Sequence, residues 1–126
     1  MQVWLGDANS ARDNARYLPP PAETVPMLVD EWLDWWHRRH HMVRGQSKGV
    51  IVAGLAEFHH RFLIIHPFTD ANGRVARVIT DQAARGLLNQ SIGREFIQDV
   101  AAYYRALEAA DEGDLTLLEN RIKALQ

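Results

Sequence analysis

The sequence predicts an all-α domain of about five helices with a small β-hairpin at its amino end. Apolar residues recur at helical spacing in five successive stretches, and segments containing proline or glycine separate these stretches. The one strand-like pattern is a short Val-Trp-Leu run, followed by Gly-Asp, within residues 1–18. A chain of 126 residues with 47% hydrophobic content suits a single domain over 1–126, with a compact core of modest size.

The composition narrows the classes of partner. A net charge of −2 provides no overall field toward nucleic acid or an anionic membrane. The absence of cysteine excludes disulfides and thiol catalysis, and no apolar run approaches the roughly 20 residues that span a bilayer. The amino terminus lacks a charged region followed by an apolar one. We therefore expect a cytoplasmic protein with neither a nucleic-acid nor a membrane partner, and the sequence indicates no oligomeric state.

Residues 1–18 have the pattern of a strand, a turn and a return arm. An exposed hairpin of this kind can receive an extended segment of another protein by strand addition. The alternative is that Trp4 and Leu5 simply cover the core. The chain begins very close to the hairpin, so one alternative is that an amino-terminal segment of the hairpin is missing. Residues 19–21, all proline, then form a stiff connector that cannot join a helix.

The first helix is predicted over 26–41. Its apolar stripe indicates core packing rather than ligand stacking, and consists of Leu28, Trp32, Trp35 and Trp36. Cations at a helix carboxyl end complement the dipole, so the basic residues there are predicted to form a solvated face rather than a nucleic-acid site. They are His37, Arg38, Arg39, His40, His41, Arg44 and Lys48. A turn at 45–49 follows.

The second helix, predicted over 50–65, has apolar residues around nearly its whole circumference, from Val50 onward, and should be the central buried element. Its far end delivers His66 from a rigid support. His59 and His60 raise the question of a zinc site with the histidines of the first helix. Adjacent histidines point apart on a helix and lack the i, i+4 spacing of a helical zinc motif, so a metal role is disfavoured.

Three further helices complete the predicted core. The third, over 73–89, has an apolar stripe of Val75, Ile79, Ala83 and Leu87 and a polar stripe of Arg74, Arg77, Asp81 and Arg85. The fourth is amphipathic through Phe96, Val100, Tyr104 and Leu107, and Gly113 ends it. Asp114 can cap the fifth, whose inward residues are Leu115, Leu118, Ile122 and Leu125.

The connection between the second and third helices contains groups suited to a phosphate ester. Its sequence is His66-Pro67-Phe68-Thr69-Asp70-Ala71-Asn72-Gly73-Arg74-Val75-Ala76-Arg77. Asn72 is a suitable N-cap, and the helix that it starts leaves the next three amides without intrahelical acceptors. The positive end of the helix dipole lies there, so an anion is expected. Gly73 has no side chain to obstruct a phosphate approaching its amide.

The side chains of this connection fit the same chemistry. Arg74 and Arg77, three residues apart, project from one side of the helix and can reach one polyphosphate. Asp70 supplies the hard oxygen ligand that Mg²⁺ prefers. His66 can accept a proton near neutral pH. A base, a metal ligand, an anion hole and an arginine pair are therefore present within twelve positions.

This stretch resembles the signature of the Fic-domain family, which reads HPF, any residue, Asp or Glu, Gly, Asn, Gly, Arg, two residues, Arg. The departure is Ala71, where the family most often has Gly. The resemblance extends to Val3-Trp4-Leu5-Gly6, which looks like the start of the family's substrate-docking flap. Near the carboxyl end, Tyr103-Tyr104-Arg105-Ala106-Leu107 and Gly113-Asp114-Leu115-Thr116 are similar to its closing helices. It implies a Fic-like helical bundle over 26–126 with a flap hairpin at 1–18.

The resemblance implies transfer of the AMP moiety of ATP to a Ser, Thr or Tyr hydroxyl of a target protein. His66 would be the general base and Asp70 the ligand of Mg²⁺. Mg-ATP would be held by residues 70–77, with Ala71, Asn72 and Gly73 along the anion hole and Arg74 and Arg77 toward the phosphates. The kinase-like branch, typified by the death-on-curing toxin, has Lys in place of Gly73, so nucleotide transfer is favoured.

Two alternatives stay open at this stage. The motif fixes phosphate handling rather than the rest of the donor, so the chain could transfer UMP or phosphocholine instead. A Fic fold weakened at Ala71 or by a partial flap could bind a nucleotide or partner without turnover. The family's inhibitory pattern, Ser or Thr, three residues, Glu, then Gly or Asn, is not met at Ser91–Glu95 or Thr116–Glu119. We therefore expect that any restraint comes from a separate inhibitory protein or segment.

Overall fold

The computed structural model describes residues 21–65, 72–92 and 99–123. Five α-helices make up most of them: α1 (Val25–Val43), α2 (Lys48–Ile65), α3 (Asn72–Leu88), α4 (Val100–Asp111) and α5 (Thr116–Lys123). A short 3-10 turn, Ala22–Thr24, leads into α1. Every regular element in these three ranges is helical, which confirms the all-α prediction. The predicted hairpin at 1–18 lies outside the described residues.

Helix α2 is the central element, as predicted. It contacts α1, α3 and α5, and eleven of its 18 residues are buried. It begins two residues earlier than expected, because the Ser47 hydroxyl accepts a hydrogen bond from the Val50 amide at 3.4 Å. Val50 was expected on the buried circumference and is instead 44% exposed. It lies in the first turn of α2, next to the exposed connection from α1.

The tryptophan stripe of α1 packs on α2, as the spacing predicted. Trp32 is buried, its ring stacks on Phe58 at a centroid distance of 4.9 Å, and its indole N–H donates to the Phe58 carbonyl at 3.3 Å. Trp36 lies 4.3 Å from the same Phe58 ring. An aromatic pair of this kind adds about 0.5–1.5 kcal/mol beyond the area that it buries. These tryptophans are therefore part of the core. None of the helices in the described ranges is both long and apolar enough to cross a bilayer.

The basic end of α1 is largely solvated. Exposed side chains account for most of it, namely His37, Arg38, His41, Arg44 and Lys48. Arg39 differs, because its guanidinium is 2.7 Å from the Glu57 carboxylate, which Arg61 also contacts at 2.7 Å. The Arg61 guanidinium lies over the Trp35 ring at 4.3 Å from its centroid. The prediction of a solvated face is confirmed, with one ion-paired exception.

Helix α3 packs against α2 along a row of small side chains. Its buried residues repeat every four positions and are Asn72, Ala76, Thr80 and Ala84. The sequence analysis placed the apolar stripe one position earlier, at Val75, Ile79, Ala83 and Leu87, which are only partly buried. These four side chains do pack against the core, as predicted, and the fully buried row lies one position later, where the smaller side chains face α2.

The carboxyl end of α3 is fixed by one aspartate. Asp81 accepts hydrogen bonds from Ser91 Oγ at 2.6 Å, from the Ile92 amide at 2.8 Å and from Arg85 Nε at 2.9 Å. Asn89 follows the helix with a φ of 58°, the left-handed conformation that ends many helices. The chain therefore turns back after α3 and buries Ile92.

The last two helices form a pair at the carboxyl end. Asp99 caps α4 by accepting from the Ala102 amide at 3.2 Å, and Gly113, with a φ of 95°, follows its end. Asp114 accepts from the Thr116 amide at 2.9 Å, and Leu118 and Ile122 are buried, as predicted. Val100 was expected to face inward but is 50% exposed, because it is the first residue of α4 and lies at the edge of the packed face. Phe96 and Leu125 lie outside the described residues.

Candidate active site

The structure describes one half of the predicted site. Asn72, Gly73, Arg74 and Arg77 lie in the first turns of α3. His66, Asp70 and Ala71, and the flap residues Val3, Trp4, Leu5 and Gly6, lie outside the described residues. Their roles therefore stay predictions.

Both flanks of the 66–71 connection are anchored in the core. Ile65, the last residue of α2, is buried, and Asn72, the first residue of α3, is only 1% exposed. Because α2 and α3 pack against each other, the relative position of these two helix ends is set by side chains of the core. Six residues join them, so the connection is held at both ends.

The start of α3 has backbone donors that are not used by the hydrogen bonds of the helix itself. The first four N–H groups of an α-helix have no acceptor within the helix, and the positive end of its dipole lies there. The structure begins α3 at Asn72, so this residue lies in the first turn rather than just before it, one position from the predicted cap. Its side chain is buried in the same row as Ala76 and Thr80, which faces α2.

Nothing in the described structure requires glycine at position 73. Gly73 has no left-handed φ, and no atom of the described residues lies within 4 Å of the place where a Cβ would stand. Glycine inside a helix costs about 0.5–1 kcal/mol relative to alanine. No contact within the described residues offsets this cost, and an external group has room to approach the Gly73 amide.

The two arginines of the motif have different surroundings. Arg74 is exposed, whereas Arg77 is partly buried. Neither pairs with an acidic side chain of the described residues. Burial raises the pKa of the Tyr103 phenol, while the positive charges of Arg121 and Arg77 oppose that shift. Arg77 therefore lies near α4, and Arg74 extends toward solvent.

A buried polar network connects three helices behind this site, and the sequence analysis did not predict it. His59 Nδ1 lies 2.9 Å from Thr80 Oγ1, and His59 Nε2 lies 2.6 Å from the Tyr103 hydroxyl. The Thr80 hydroxyl donates to the Ala76 carbonyl at 2.6 Å. The signal available in the sequence was a histidine on an apolar helix, with a threonine and a tyrosine at positions that turned out to face it.

Both ring nitrogens of His59 have a partner in this network. The Thr80 hydroxyl can donate to the Ala76 carbonyl while its oxygen accepts from His59 Nδ1–H, in which case His59 Nε2 accepts from the Tyr103 hydroxyl. Burial, assisted by the neighbouring His60, lowers the pKa of His59 to about 3, so its ring is neutral near pH 7. His59 is therefore a hydrogen-bonded residue of the core.

Metal-binding side chains do not cluster in the part of the chain that the structure describes. In the ranges 21–65, 72–92 and 99–123, no three His, Cys, Asp or Glu side chains converge on one point. His60 instead contacts the Asp111 carboxylate at 2.9 Å. Mg²⁺ bound with a nucleotide needs only one or two carboxylates, since waters and substrate phosphates complete its shell. The donor set of the motif, with Asp70 as the carboxylate, fits that mode of binding.

Several known proteins are similar in sequence to this chain. A probable protein adenylyltransferase of Aquifex aeolicus is 33% identical over 83% of this chain and 30% of its own length. A protein adenylyltransferase of Caenorhabditis briggsae is 29% identical over 90% of this chain and 20% of its own length. A uridine 5'-monophosphate transferase of Xanthomonas campestris is 31% identical over 51% of this chain and 12% of its own length.

These relatives are longer proteins, and the chain spans less than a third of each of them. No solved structure matches the chain. The sequence profile of the Fic/DOC family matches residues 4–84, which include the whole His66–Arg77 stretch and the start of α3. That match covers well over half of the sequence. The chain therefore belongs to the Fic/DOC family.

Proposed function

We propose that the chain transfers AMP from ATP to a hydroxyl side chain of a target protein. The observation that carries the proposal is the start of α3. The amino end of α3 with its dipole, an unobstructed Gly73 and the exposed Arg74, which pairs with no acidic side chain of the described residues, follow directly on the His66–Ala71 connection, as the Fic motif requires. The names of the relatives from Aquifex aeolicus and Caenorhabditis briggsae support adenylylation as the reaction.

In the proposed reaction the target hydroxyl attacks the α-phosphorus of ATP. His66 takes the hydroxyl proton, the new oxygen–phosphorus bond forms, and the bond to the β-phosphate breaks to release pyrophosphate. The amides at Asn72 and Gly73 and the guanidinium of Arg74 stabilise the charge of the phosphates, and Arg77 adds positive potential from the α4 side. Catalysis of this kind depends mainly on positioning and charge.

Mg²⁺ is proposed to bind with the nucleotide through Asp70, where it would neutralise phosphate charge. Ala71 would lie beside the phosphates. The residues Val3, Trp4, Leu5 and Gly6 are proposed to align an extended segment of the target by strand addition. Because ATP is the donor, we place the reaction in the cytoplasm.

UMP transfer is the second candidate, and one relative favours it. The protein from Xanthomonas campestris is named as a uridine 5'-monophosphate transferase and matches this chain over 64 residues. Phosphate handling would be unchanged, because the groups at the start of α3 contact phosphates rather than the base. The donor therefore has to be decided by experiment.

The test is incubation of the protein with α-labelled ATP or α-labelled UTP, with Mg²⁺ and lysate proteins. We expect label from ATP on itself or on a target, loss of that label in His66→Ala, and retained ATP binding in that variant. Label from UTP alone would replace AMP with UMP as the transferred group. Transfer by His66→Ala within tenfold of the wild-type rate would overturn the assignment of the base.

A weakened binding module is tested with Ala71→Gly. Were the φ of Ala71 positive, its Cβ would cost on the order of 1 kcal/mol, so this variant should change the transfer rate by less than about tenfold. An inactive wild-type protein that Ala71→Gly activates would show that Ala71 is an inactivating substitution.

A further inference from the structure

The polar network of His59, Thr80 and Tyr103 joins the three helices that surround the proposed site. His59 lies in α2, Thr80 in α3 and Tyr103 in α4, and all three side chains are almost completely buried. Their hydrogen bonds of 2.9 and 2.6 Å connect α3 to α2 and α2 to α4. A buried polar network with complete pairing fixes one arrangement of its helices, because any shift leaves a desolvated donor or acceptor without its partner.

The location of the network relates it to the chemistry. His59 is six residues before Ile65, the last residue of α2, which is about 9 Å along the helix axis. Thr80 is eight residues after Asn72, and its hydroxyl donates to Ala76, the residue next to Arg77. The network therefore lies about two turns below both flanks of the 66–71 connection.

The contact between α2 and α3 makes such a lock useful. Its α3 side is a row of small residues at intervals of four, which are Asn72, Ala76, Thr80 and Ala84. Nonpolar contacts have no preferred direction, so this row and the partly buried aliphatic side chains beside it constrain the register of α3 less strictly than a hydrogen bond does. The Thr80 hydroxyl makes a directional contact across this row to His59.

We propose that His59, together with Thr80 and Tyr103, acts as a positioning group for the transfer reaction. The network sets the register of α3 against α2, and so the separation between the base that follows α2 and the phosphate-binding amides that begin α3. This inference rests on the proposed function. None of the three side chains contacts the reacting atoms, so their effect is on the rate of transfer and not on nucleotide affinity.

The first test compares Thr80→Val with Thr80→Ser. The Val variant keeps the branched shape but removes the hydroxyl, whereas the Ser variant keeps the hydroxyl. We expect Thr80→Val to lower kcat about 10- to 100-fold, since misplacement of about 1 Å can cost that much. The Kd for ATP should change less than about threefold, and Thr80→Ser should retain kcat within about threefold. Tyr103→Phe, which removes the donor to His59 Nε2, should lower kcat in the same way.

Two stability controls separate positioning from a general loss of folding. Ile51→Val and Ile51→Ala act in the first turns of α2, about 21 Å along the helix from Ile65, and bracket a destabilisation of about 0.5–5 kcal/mol. Measured below the unfolding temperature of every variant, both should retain kcat within about threefold. A wild-type kcat in Thr80→Val, or an equal loss in the Ile51 variant of matching stability, would overturn the proposal.

A structural measurement keeps this inference apart from the proposed function. The chain has no cysteine, so spin labels can be placed on Lys48→Cys in α2 and Gln82→Cys in α3, both at exposed positions. We expect Thr80→Val to broaden or shift the distance distribution between the labels, and Thr80→Ser to leave it unchanged. An unchanged distribution in Thr80→Val would reject the register lock. An inactive wild-type protein with the expected distances would reject the proposed function alone.

Discussion

His59 and His60 are neighbours in α2 with different surroundings. His59 is fully buried between α3 and α4, whereas His60 faces the Asp111 carboxylate at the end of α4. The sequence analysis considered both as metal ligands because residue type alone suggests that chemistry. It disfavoured that role from their helical spacing, and in the structure each ring is engaged by a partner from a distant part of the chain.

The low pKa of His59 makes stability depend on pH. The pKa is about 3 in the folded protein and 6.5 without the fold, so the unfolded chain binds about one more proton between these values. The contribution of neutral His59 to the free energy of unfolding is fully present above pH 6.5 and is lost as the pH falls toward 3. We expect a loss of about 2 kcal/mol at pH 5 from this residue alone.

Urea unfolding at several pH values measures this effect. His59→Gln should lower the slope of stability against pH by about one proton between pH 4 and 6. Ile51→Val, which keeps His59, should retain the slope of the wild-type protein despite its lower stability. Identical slopes in the wild-type protein and His59→Gln would show that another group takes up the proton.

Arg74 is the exposed arginine of the motif, and its removal should affect nucleotide binding directly. A charge-assisted hydrogen bond contributes about 1.5–3 kcal/mol, so Arg74→Ala should weaken ATP binding about 10- to 100-fold and also slow transfer. Arg85→Ala is the matched control on the same helix, because Arg85 pairs with Asp81 at 2.9 Å and lies three turns away from the helix start. Titration of both variants with ATP makes the comparison. Equal affinities would remove Arg74 from the site.

At the scale of single elements, α3 combines a structural face with a binding end. Periodicity predicted its length to within one residue at each end, because apolar residues that recur at helical spacing among polar ones mark a surface helix. Periodicity could not identify which face contacts α2. Ala76, Thr80 and Ala84 are less apolar than Val75, Ile79 and Leu87, and only close approach of the two helices explains why the smaller side chains are buried.

Two glycines of α3 provide a matched pair for testing the role of its amino end. Gly73 and Gly86 both lie in the helix, and no described atom is within 4 Å of a Cβ at either position. Replacing each with alanine should raise stability by about 0.5–1 kcal/mol. Only Gly73→Ala should weaken ATP binding, because its methyl group would occupy the approach to the phosphate-binding amide. Thermal unfolding and ATP titration of the two variants provide the measurements.

The Gly86→Ala variant separates the two effects. A loss of ATP affinity equal to that of Gly73→Ala would indicate a general change in α3 rather than contact with phosphate. Unchanged affinity in Gly73→Ala would show that the nucleotide does not approach this amide closely.

At the scale of the whole molecule, the predictable features were those encoded in local patterns. Helix content, the central position of α2, the end of α4 at Gly113 and the cap at Asp114 follow from spacing and residue type. Val50 and Val100 were misplaced because both lie in the first turn of a helix, where the packed face ends. The partnership of His59 with Tyr103 joins residues 44 positions apart, and no local pattern encodes such a contact.

The central position of α2 also determines how its backbone exchanges hydrogen for deuterium. Amides at Val52, Leu55 and Leu63, whose side chains are fully buried, should exchange only when the whole molecule unfolds. Their exchange rates then report the global free energy of unfolding. ATP at 100 times its Kd should slow their exchange about 100-fold, although the proposed phosphate-binding residues lie in α3 and these amides lie in α2. Mass spectrometry of deuterated α2 peptides would thus detect nucleotide binding without any label on the nucleotide, and rates unaffected by ATP would show that the folded chain does not bind it.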